Sequence, residues 1–415
     1  MTFNLLWRGG GAIAGISLCT VLGLAQSDPS SLQPLRTTPT EKFTVNPGFR
    51  DWGPTTIAGT TILGGNVNQR GGLFAVDTLT GKVKWTSRPT GNGNPWVATA
   101  PAVSGDIVIT IMNNTLVALS LATGKQVWRG PATKQSATVA VSSGLAYVLG
   151  DDANFYALEA ATGRERWKKR FRRAGSCHAL PIVRDGTVYV SVAILTRPAD
   201  ANRSAEGSEH LFALDANTGQ ERWRYPEAGS RGACLEQPII TADTFFGVVS
   251  QALVAVNLAT GRERWKPVEV RQPVEGRLRG VPVGGLVDAG SVLIGMTPGA
   301  LIAFDKASGR TVWEIAGQYR VQSPSTAVAG RVLYFQGHPG ATPTSGYRGT
   351  TFDGRQIIEA APLPGAKLNA LDLDTRKILW SFSRKTAEPN WSFGSVTPVD
   401  GGLWVDSYQA LVKLQ

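Results

Sequence analysis

The chain has 415 residues and a formal net charge of +11, with only three Cys and three His. It contains no Cys-x-x-Cys-His haem attachment, no Gly-rich phosphate loop ending in Lys-Ser or Lys-Thr, and no Gly-x-Ser-x-Gly elbow. His178, His210 and His338 do not pair at a metal-ligand spacing, so a local zinc motif is excluded as well.

The first 25 residues read as an export signal. Arg8 closes a short charged region, Gly11 to Leu24 is apolar, and Gly23-Leu24-Ala25 fits a small-x-small cleavage site. The apolar run is short for a membrane span, with an uncleaved anchor as the alternative. Leu18 stands ahead of Cys19 where lipid attachment requires a small residue. Residues 26–40, dominated by Ser, Pro and Thr, read as a flexible tether, and 41–415 as a single domain. Nucleic acid is not an expected partner of an exported chain.

From residue 75 onward an Ala and a Trp recur ten residues apart. Six sets carry a Gly six residues after the Ala: Ala75/Gly81/Trp85, Ala118/Gly124/Trp128, Ala157/Gly163/Trp167, Ala213/Gly219/Trp223, Ala255/Gly261/Trp265 and Ala303/Gly309/Trp313. A seventh, Ala370/Trp380, has Arg376 in the Gly position. Self-similarity at this period means a repeat architecture, because one unit cannot bury its own apolar face.

One unit is clearest in Pro181 to Trp223. Asp185-Gly186 is a turn between Pro181-Ile182-Val183 and the β-branched run Thr187-Val188-Tyr189-Val190. Leu211 to Asp215, the turn Asn217-Thr218-Gly219 and Glu221-Arg222-Trp223-Arg224 complete four short strands. Four-stranded units of this length are β-propeller blades. The seven tryptophans Trp85, Trp128, Trp167, Trp223, Trp265, Trp313 and Trp380 are expected to dock blade on blade from outer strands. The Ala is expected to mark a close approach between blades, and the Gly to supply a turn with φ > 0.

The signature Ala-x-Asp-x-x-Thr-Gly-x-x-x-Trp, complete in Ala75 to Trp85 and in Ala213 to Trp223, resembles the quinoprotein-type repeat of pyrroloquinoline-quinone-like (PQQ-like) propellers. The resemblance covers nearly everything after residue 40 and implies an all-β propeller. That family holds both dehydrogenases and non-catalytic scaffolds, so it leaves the activity open. Within it the chain looks most like the propeller subunit of the outer-membrane β-barrel assembly machinery, in length, export and lack of catalytic apparatus.

After Trp380 the chain begins one more unit, from Thr397 to Leu414, and stops before its outer strand. An open sheet edge is a liability, so a strand from elsewhere is expected there. Lys42-Phe43-Thr44-Val45 is the candidate, with Phe43 in the Trp position, which gives eight blades; seven is the alternative. Two insertions, 195–210 and 337–367, both fall between second and third strands and so emerge on one face. His210 and His338 sit in them, where a solvated imidazole is expected.

Cys177 and Cys234 each precede the Pro of their repeat by four residues, so they occupy equivalent inner-strand positions. A disulfide between them is the expectation, and two buried thiols the alternative. The same alignment brings Arg50, Glu236 and Arg320 toward the axis as channel candidates, against the alternative of a plain water-filled channel. The basic run Arg164, Arg166, Lys168, Lys169, Arg170, Arg172 and Arg173 falls on an outer strand, as edge protection or as a site for an anionic surface or polymer.

These readings converge on a monomeric, exported, non-catalytic propeller that presents its two insertions to a protein partner in the cell envelope, without a cofactor. The alternatives are a minimal quinoprotein oxidoreductase using PQQ and calcium, and an envelope glycan sensor. The absence of an adjacent Cys pair weighs against the oxidoreductase.

Overall fold

The computed structural model describes residues 31–46, 55–65, 72–88, 100–133, 138–171, 181–197, 206–230, 236–249, 252–274, 277–281, 283–297, 299–319, 326–339, 348–350, 356–358, 367–383, 393–407 and 410–415. Every regular element among them is a β-strand. Each repeat contributes antiparallel strands that pair in chain order. In the first, Thr56–Ala58, Thr61–Gly65, Leu73–Asp77 and Val83–Ser87 are successive neighbours. The following sheets span 102–132, 139–170, 182–230 and 236–269, and the strands of 284–319 and 326–382 are joined edge to edge into one eight-stranded sheet. The last consists of Phe393–Val399, Gly402–Ser407 and Leu411–Leu414, with Glu41–Val45 paired antiparallel to Leu411–Leu414 as its outermost strand.

Burial explains the strand composition. The middle strands, such as Ile107–Met112 and Thr115–Ser120, are buried on both faces and are almost continuously apolar. The outer strand Val83–Ser87 buries only Trp85 and alternates with polar residues.

In most repeats the turn between third and fourth strands is built around one carboxylate or amide, the second repeat having Ser120 at that position. Asp77 Oδ1 accepts from the backbone N–H of Leu79 and Thr80 and from the Thr80 hydroxyl. Asp215, Asn257 and Asp372 repeat this arrangement. The Asp-x-x-Thr portion of the signature is therefore a turn device.

In most repeats the Ala and the Trp are cross-strand partners within one sheet. Ala75 lies opposite Trp85, Ala118 opposite Trp128, Ala157 opposite Trp167 and Ala213 opposite Trp223. The close approach between sheets falls on the Gly instead. A Cβ on Gly124 would lie 2.5 Å from the Trp85 ring, on Gly163 2.8 Å from Trp128, and on Gly219 2.6 Å from Trp167. These indoles also donate their Nε1–H to a carbonyl of the next sheet's turn. Trp85 reaches Leu121 O at 2.8 Å, Trp128 Ala160 O at 2.9 Å, Trp167 Ala216 O at 2.9 Å and Trp223 Leu258 O at 2.8 Å. So the Gly does two things at once: its φ near +70° closes the turn, and its missing side chain leaves room for the preceding Trp.

Trp265 corrects the expectation that every docking Trp sits on an outer strand. It lies in a bend, half-buried, and the outer strand of its sheet shrinks to Val268–Glu269, which pairs with Leu253 and Ala252 rather than with Ala255. The cause is Pro267, two residues on, which has no N–H to donate to the ladder. Trp265 still reaches the sixth sheet from this bend. Its Nε1–H donates to Lys306 O at 3.2 Å, and a Cβ on Gly309 would lie 3.0 Å from its ring, both looser than in the other repeats.

The apolar clusters lie between consecutive sheets. Leu63, Leu73 and Trp85 pack on Val103, Val108 and Leu119, and the pattern repeats along the chain. Val45, Trp404 and Leu411 of the last sheet pack on Ile62, Phe74 and Val76 of the first. There Phe43 occupies the place held elsewhere by Trp: a Cβ on Gly81 would meet its ring at 2.9 Å.

Residues 31–40 correct the expectation of a flexible tether. Leu35 is buried against Tyr334, Trp380 and Val412. Its N–H donates to the Tyr334 hydroxyl at 2.6 Å, and its carbonyl accepts from Trp380 Nε1 at 2.9 Å. Arg36 pairs with Asp372 at 2.7 Å, and Gln33 O accepts from Gly401 N. The outermost strand of the last sheet comes from residues 41–45, and the chain leading into it supplies the Leu35 carbonyl as acceptor for Trp380. Burying Leu35 contributes about 2 kcal/mol.

The turn carboxylates contribute to acid stability. Asp77 is held down to about 2 by the Thr80 backbone N–H and hydroxyl, Asp215 to about 2 by the Arg222 guanidinium, and Asp372 to about 2 by the Thr375 N–H and Arg36. Each lies below its unfolded value of about 4, so its contribution is complete above about pH 4 and is lost as pH falls through about 2. Urea midpoints measured down that window are expected to fall steadily. An unchanged midpoint between about pH 4 and pH 2 would rule out these turns as the acid-labile element.

Candidate functional site

Both insertions arise where the sequence places them, between second and third strands. In the fourth sheet Thr187–Arg197 and Glu206–Asp215 continue their ladder well past the neighbouring sheets' strands, through Val192 opposite His210 to Arg197 opposite Glu206. The outer strand Glu221–Ser230 follows it outward, with Glu209 opposite Ser230. The hairpin stem is thus three strands wide, which gives the projection a rigid base. In the seventh sheet Val332–Pro339 extends far enough to pair through Gly337–Pro339 with Gly317–Tyr319 of the sixth. Within that insertion Arg348–Thr350 and Gln356–Ile358 form a small antiparallel ladder of their own.

The two histidines are not solvated side chains, contrary to the sequence expectation. His210 is 6% exposed, with Nδ1 2.9 Å from Pro226 O and Nε2 3.1 Å from Ser208 Oγ. Burial pushes its pKa down, opposed by the Pro226 carbonyl. His210 therefore pins the hairpin to the outer strand as a neutral imidazole. His338 is half-buried, its Nε2 has no hydrogen-bond partner, and burial with the nearby Lys367 charge lowers its pKa. Loop position suggested exposure; the long stems carry both rings inward.

Of the axial candidates, Arg50, Arg320, Cys177 and Cys234 lie outside the described residues. Glu236 begins the strand Glu236–Ile240, opposite Val248, and its side chain is outside the description. Among the described residues no group of three or more His, Cys, Asp or Glu could hold a metal ion. Among the same residues, no helix is long and apolar enough to cross a membrane.

The basic outer strand of the third sheet is laced with carboxylates. Glu159 takes Arg164 at 2.5 Å and Arg166 at 3.6 Å, Glu165 takes Lys168 at 3.3 Å, and Glu221 of the next sheet takes Lys169 at 3.4 Å. Exposed pairs of this kind stabilise little, but they neutralise much of the local charge. Arg172 and Arg173 lie outside the described residues.

Successive antiparallel sheets, most of them docked on the next through a Trp–Gly contact, define a β-propeller of PQQ-like repeats. The chain belongs to the family described as outer membrane protein assembly factor BamB, whose model matches residues 42–139, 112–273 and 253–409. It is 28% identical over 268 residues to the outer membrane protein assembly factor BamB of Burkholderia pseudomallei (strain K96243), covering 59% of this chain and 62% of that one. It is also 29% identical over 180 residues to the serine/threonine-protein kinase AfsK of Streptomyces griseus, covering 41% of this chain and 20% of the kinase. The matched region thus spans less than two thirds of either relative. Among solved structures, the computationally designed Ika8 protein superposes with a TM-score of 0.62 at 12% identity, covering 90% of this chain and 98% of that one. That likeness concerns the fold alone.

Proposed function

We propose that the chain is a non-catalytic, exported propeller that serves as a protein-binding scaffold in outer-membrane assembly. The observation that carries this reading is the family match, which runs without a gap from residue 42 to 409. The finer architecture we infer is an eight-bladed ring, in which Glu41–Val45 completes the last blade. Its support is the pairing with Leu411–Leu414 and the cluster that joins the last sheet to the first. The protein works from the periplasmic side of the envelope. Its mechanism is presentation, in which a rigid disc holds the hairpin 195–210 and the insertion 337–367 toward a partner protein. The channel candidates Arg50, Glu236 and Arg320 and a Cys177–Cys234 disulfide remain proposals of the same reading.

Shortening the hairpin tests it. Replacing residues 195–207 by Asn-Gly keeps the ladder from Thr187 opposite Asp215 to Ile194 opposite Ser208, together with the His210 contacts. The variant is expected to retain its melting temperature while losing photo-crosslinks to its partner in cell envelopes and lowering outer-membrane β-barrel levels. Full crosslinking and full β-barrel levels from a folded variant would remove the hairpin from the contact region. Calorimetric titration of the parent chain with PQQ and calcium is expected to give no heat, and stoichiometric binding there would favour the oxidoreductase instead.

A further inference from the structure

The antiparallel order of each repeat puts its first-to-second and third-to-fourth turns at one end of the strands and the two insertions at the other. Turn ends of successive sheets lie side by side, because the indoles of the first five repeats reach a carbonyl in the next sheet's turn. Lys413 Nζ of the last sheet donates to Thr78 O in the first sheet's turn at 3.1 Å. The N-terminal stretch joins the same end. The Leu32 carbonyl lies close to Gly330, the Gln33 N–H donates to Asp400 Oδ1 at 3.1 Å, and Arg36 takes Asp372. The chain ahead of residue 32 therefore leaves from the turn end.

This end carries an excess of free cations. Directly after the turn, six of the seven repeats place Lys82, Lys125, Arg164, Arg262, Arg310 or Lys377, and the fourth has Gln220. All six cations are exposed. Arg164 pairs with Glu159, and the other five form no ion pair among the described residues. The carboxylates of the same turns are mostly engaged: Asp215 by Arg222, Asp243 by Arg264, Asp288 by Lys306 and Asp374 by Arg331. Only Asp106, Asp305 and Asp400 of these turns lack a cation among the described residues.

Two departures from the repeat fall at this end as well. Leu79 stands at the tip of the first turn, 67% exposed, where the other repeats place Ala, Asn or Asp. Its N–H is held by Asp77 Oδ1, so the tip is a fixed apolar knob. Arg376 replaces the turn Gly of six other repeats and holds a φ of +60°. It is exposed and forms no ion pair among the described residues, so a strained position adds one more free cation beside Lys377.

We propose that the turn end is a docking surface for an anionic lipid bilayer. The free cations lie over the headgroups and Leu79 enters among them, the combination of charge attraction and apolar burial that holds proteins at a bilayer surface. An exposed leucine gains nothing from a soluble polyanion, which is why the occupant is a lipid surface. The chain ahead of residue 32 leaves toward the bilayer, and the two insertions point away from it. The inference stands on the turn end alone and does not depend on the scaffold role.

The test is hydrogen exchange of the full chain on vesicles of phosphatidylcholine and phosphatidylglycerol in equal parts, and on vesicles of phosphatidylcholine alone. Exchange in 77–83 and 373–378 is expected to slow on the anionic vesicles only, with 150–154 at the opposite end unchanged on both. Affinity is read as the ratio of partition into anionic over neutral vesicles, since the apolar contribution of residues 1–30 is common to both. Each cation at such a surface is worth about fivefold, so Lys82→Gln with Lys125→Gln should lower the ratio about 25-fold. Leu79→Ala should lower it about tenfold. Arg376→Gly should lower it about fivefold while raising the melting temperature, which a purely structural arginine would not do. Equal exchange changes at both ends, a ratio near one, or a ratio unmoved by the double substitution in a folded chain would each overturn the proposal. Tighter binding to soluble alginate than to the anionic vesicles, with Leu79→Ala without effect, would assign the end to an acidic polymer and overturn it too.

Discussion

A chain beginning at residue 47 is expected to lose its cooperative thermal transition and to aggregate, whereas one beginning at residue 31 melts like the full chain. The truncation removes the strand paired with Leu411–Leu414 and leaves that strand as an open edge. It takes Phe43 off Gly81 and Val45 out of the cluster joining first and last sheets. Trp380 loses the Leu35 carbonyl, and the Tyr334 hydroxyl loses the Leu35 N–H. Three apolar side chains at about 1.5–3 kcal/mol each, with two buried hydrogen bonds, amount to at least about 5 kcal/mol. That equals the low end of a domain's entire stability of about 5–15 kcal/mol. A synthetic peptide of residues 31–46 added in trans should restore the transition in a concentration-dependent way. An unchanged melting curve for the chain starting at 47 would show that these contacts carry no stability.

Gly219→Ala is expected to destabilise the chain by about 3 kcal/mol, seen as a lower urea midpoint at constant slope. Two causes add. The φ of +72° at Gly219 costs an L-residue about 1–2 kcal/mol. The new Cβ would lie 2.6 Å from the Trp167 ring, so the indole must shift away from the Ala216 carbonyl and from Tyr147 and Phe155. Gly186→Ala separates the two, because its φ is +69° but nothing lies within 4 Å of its Cβ position. It should cost only the backbone share, about 1–2 kcal/mol. If the two substitutions cost the same, the ring contact contributes nothing.

The seventh repeat supplies the inverse experiment. Arg376 holds a φ of +60° where six other repeats have Gly. The preceding Trp313 is only half-buried and makes no Nε1 hydrogen bond to a described residue. Arg376→Gly should therefore stabilise by about 1 kcal/mol.

The repeat is legible because each unit must solve the same packing problem with the same residue types. Its period and strand order follow from Asp-x-x-Thr-Gly and the Trp, whose roles are local or nearest-neighbour. Roles that depend on a third element are not legible in this way. Ala75 and its equivalents have the small size of contact points between blades, yet they lie opposite Trp within a sheet, and the contact falls on Gly. Trp265 keeps the spacing of the other tryptophans, but Pro267 takes it out of the strand, and only the docking contact survives. Leu35 sits in a stretch whose composition reads as linker, and nothing local marks it as the cover for Trp380. Ser87 does carry a signal, a short side chain where the third, fourth, sixth and seventh repeats place a long one. It gains meaning only once the face it shares with Trp85 is known, where a cavity of about 300 Å³ lies.

By itself, then, the sequence determined the four-stranded unit, the turn chemistry and the place of the two insertions. Each of these is set within one repeat, by periodicity and by φ > 0 turns. The tertiary structure alone decided the anchoring of residues 31–40, the inward turn of His210 and the cavity beside Ser87. All three arise where one repeat departs from the others and a residue remote in sequence, or the next sheet, must fill or fails to fill the space. Such a fit depends on packing in three dimensions, and no single stretch of chain encodes it.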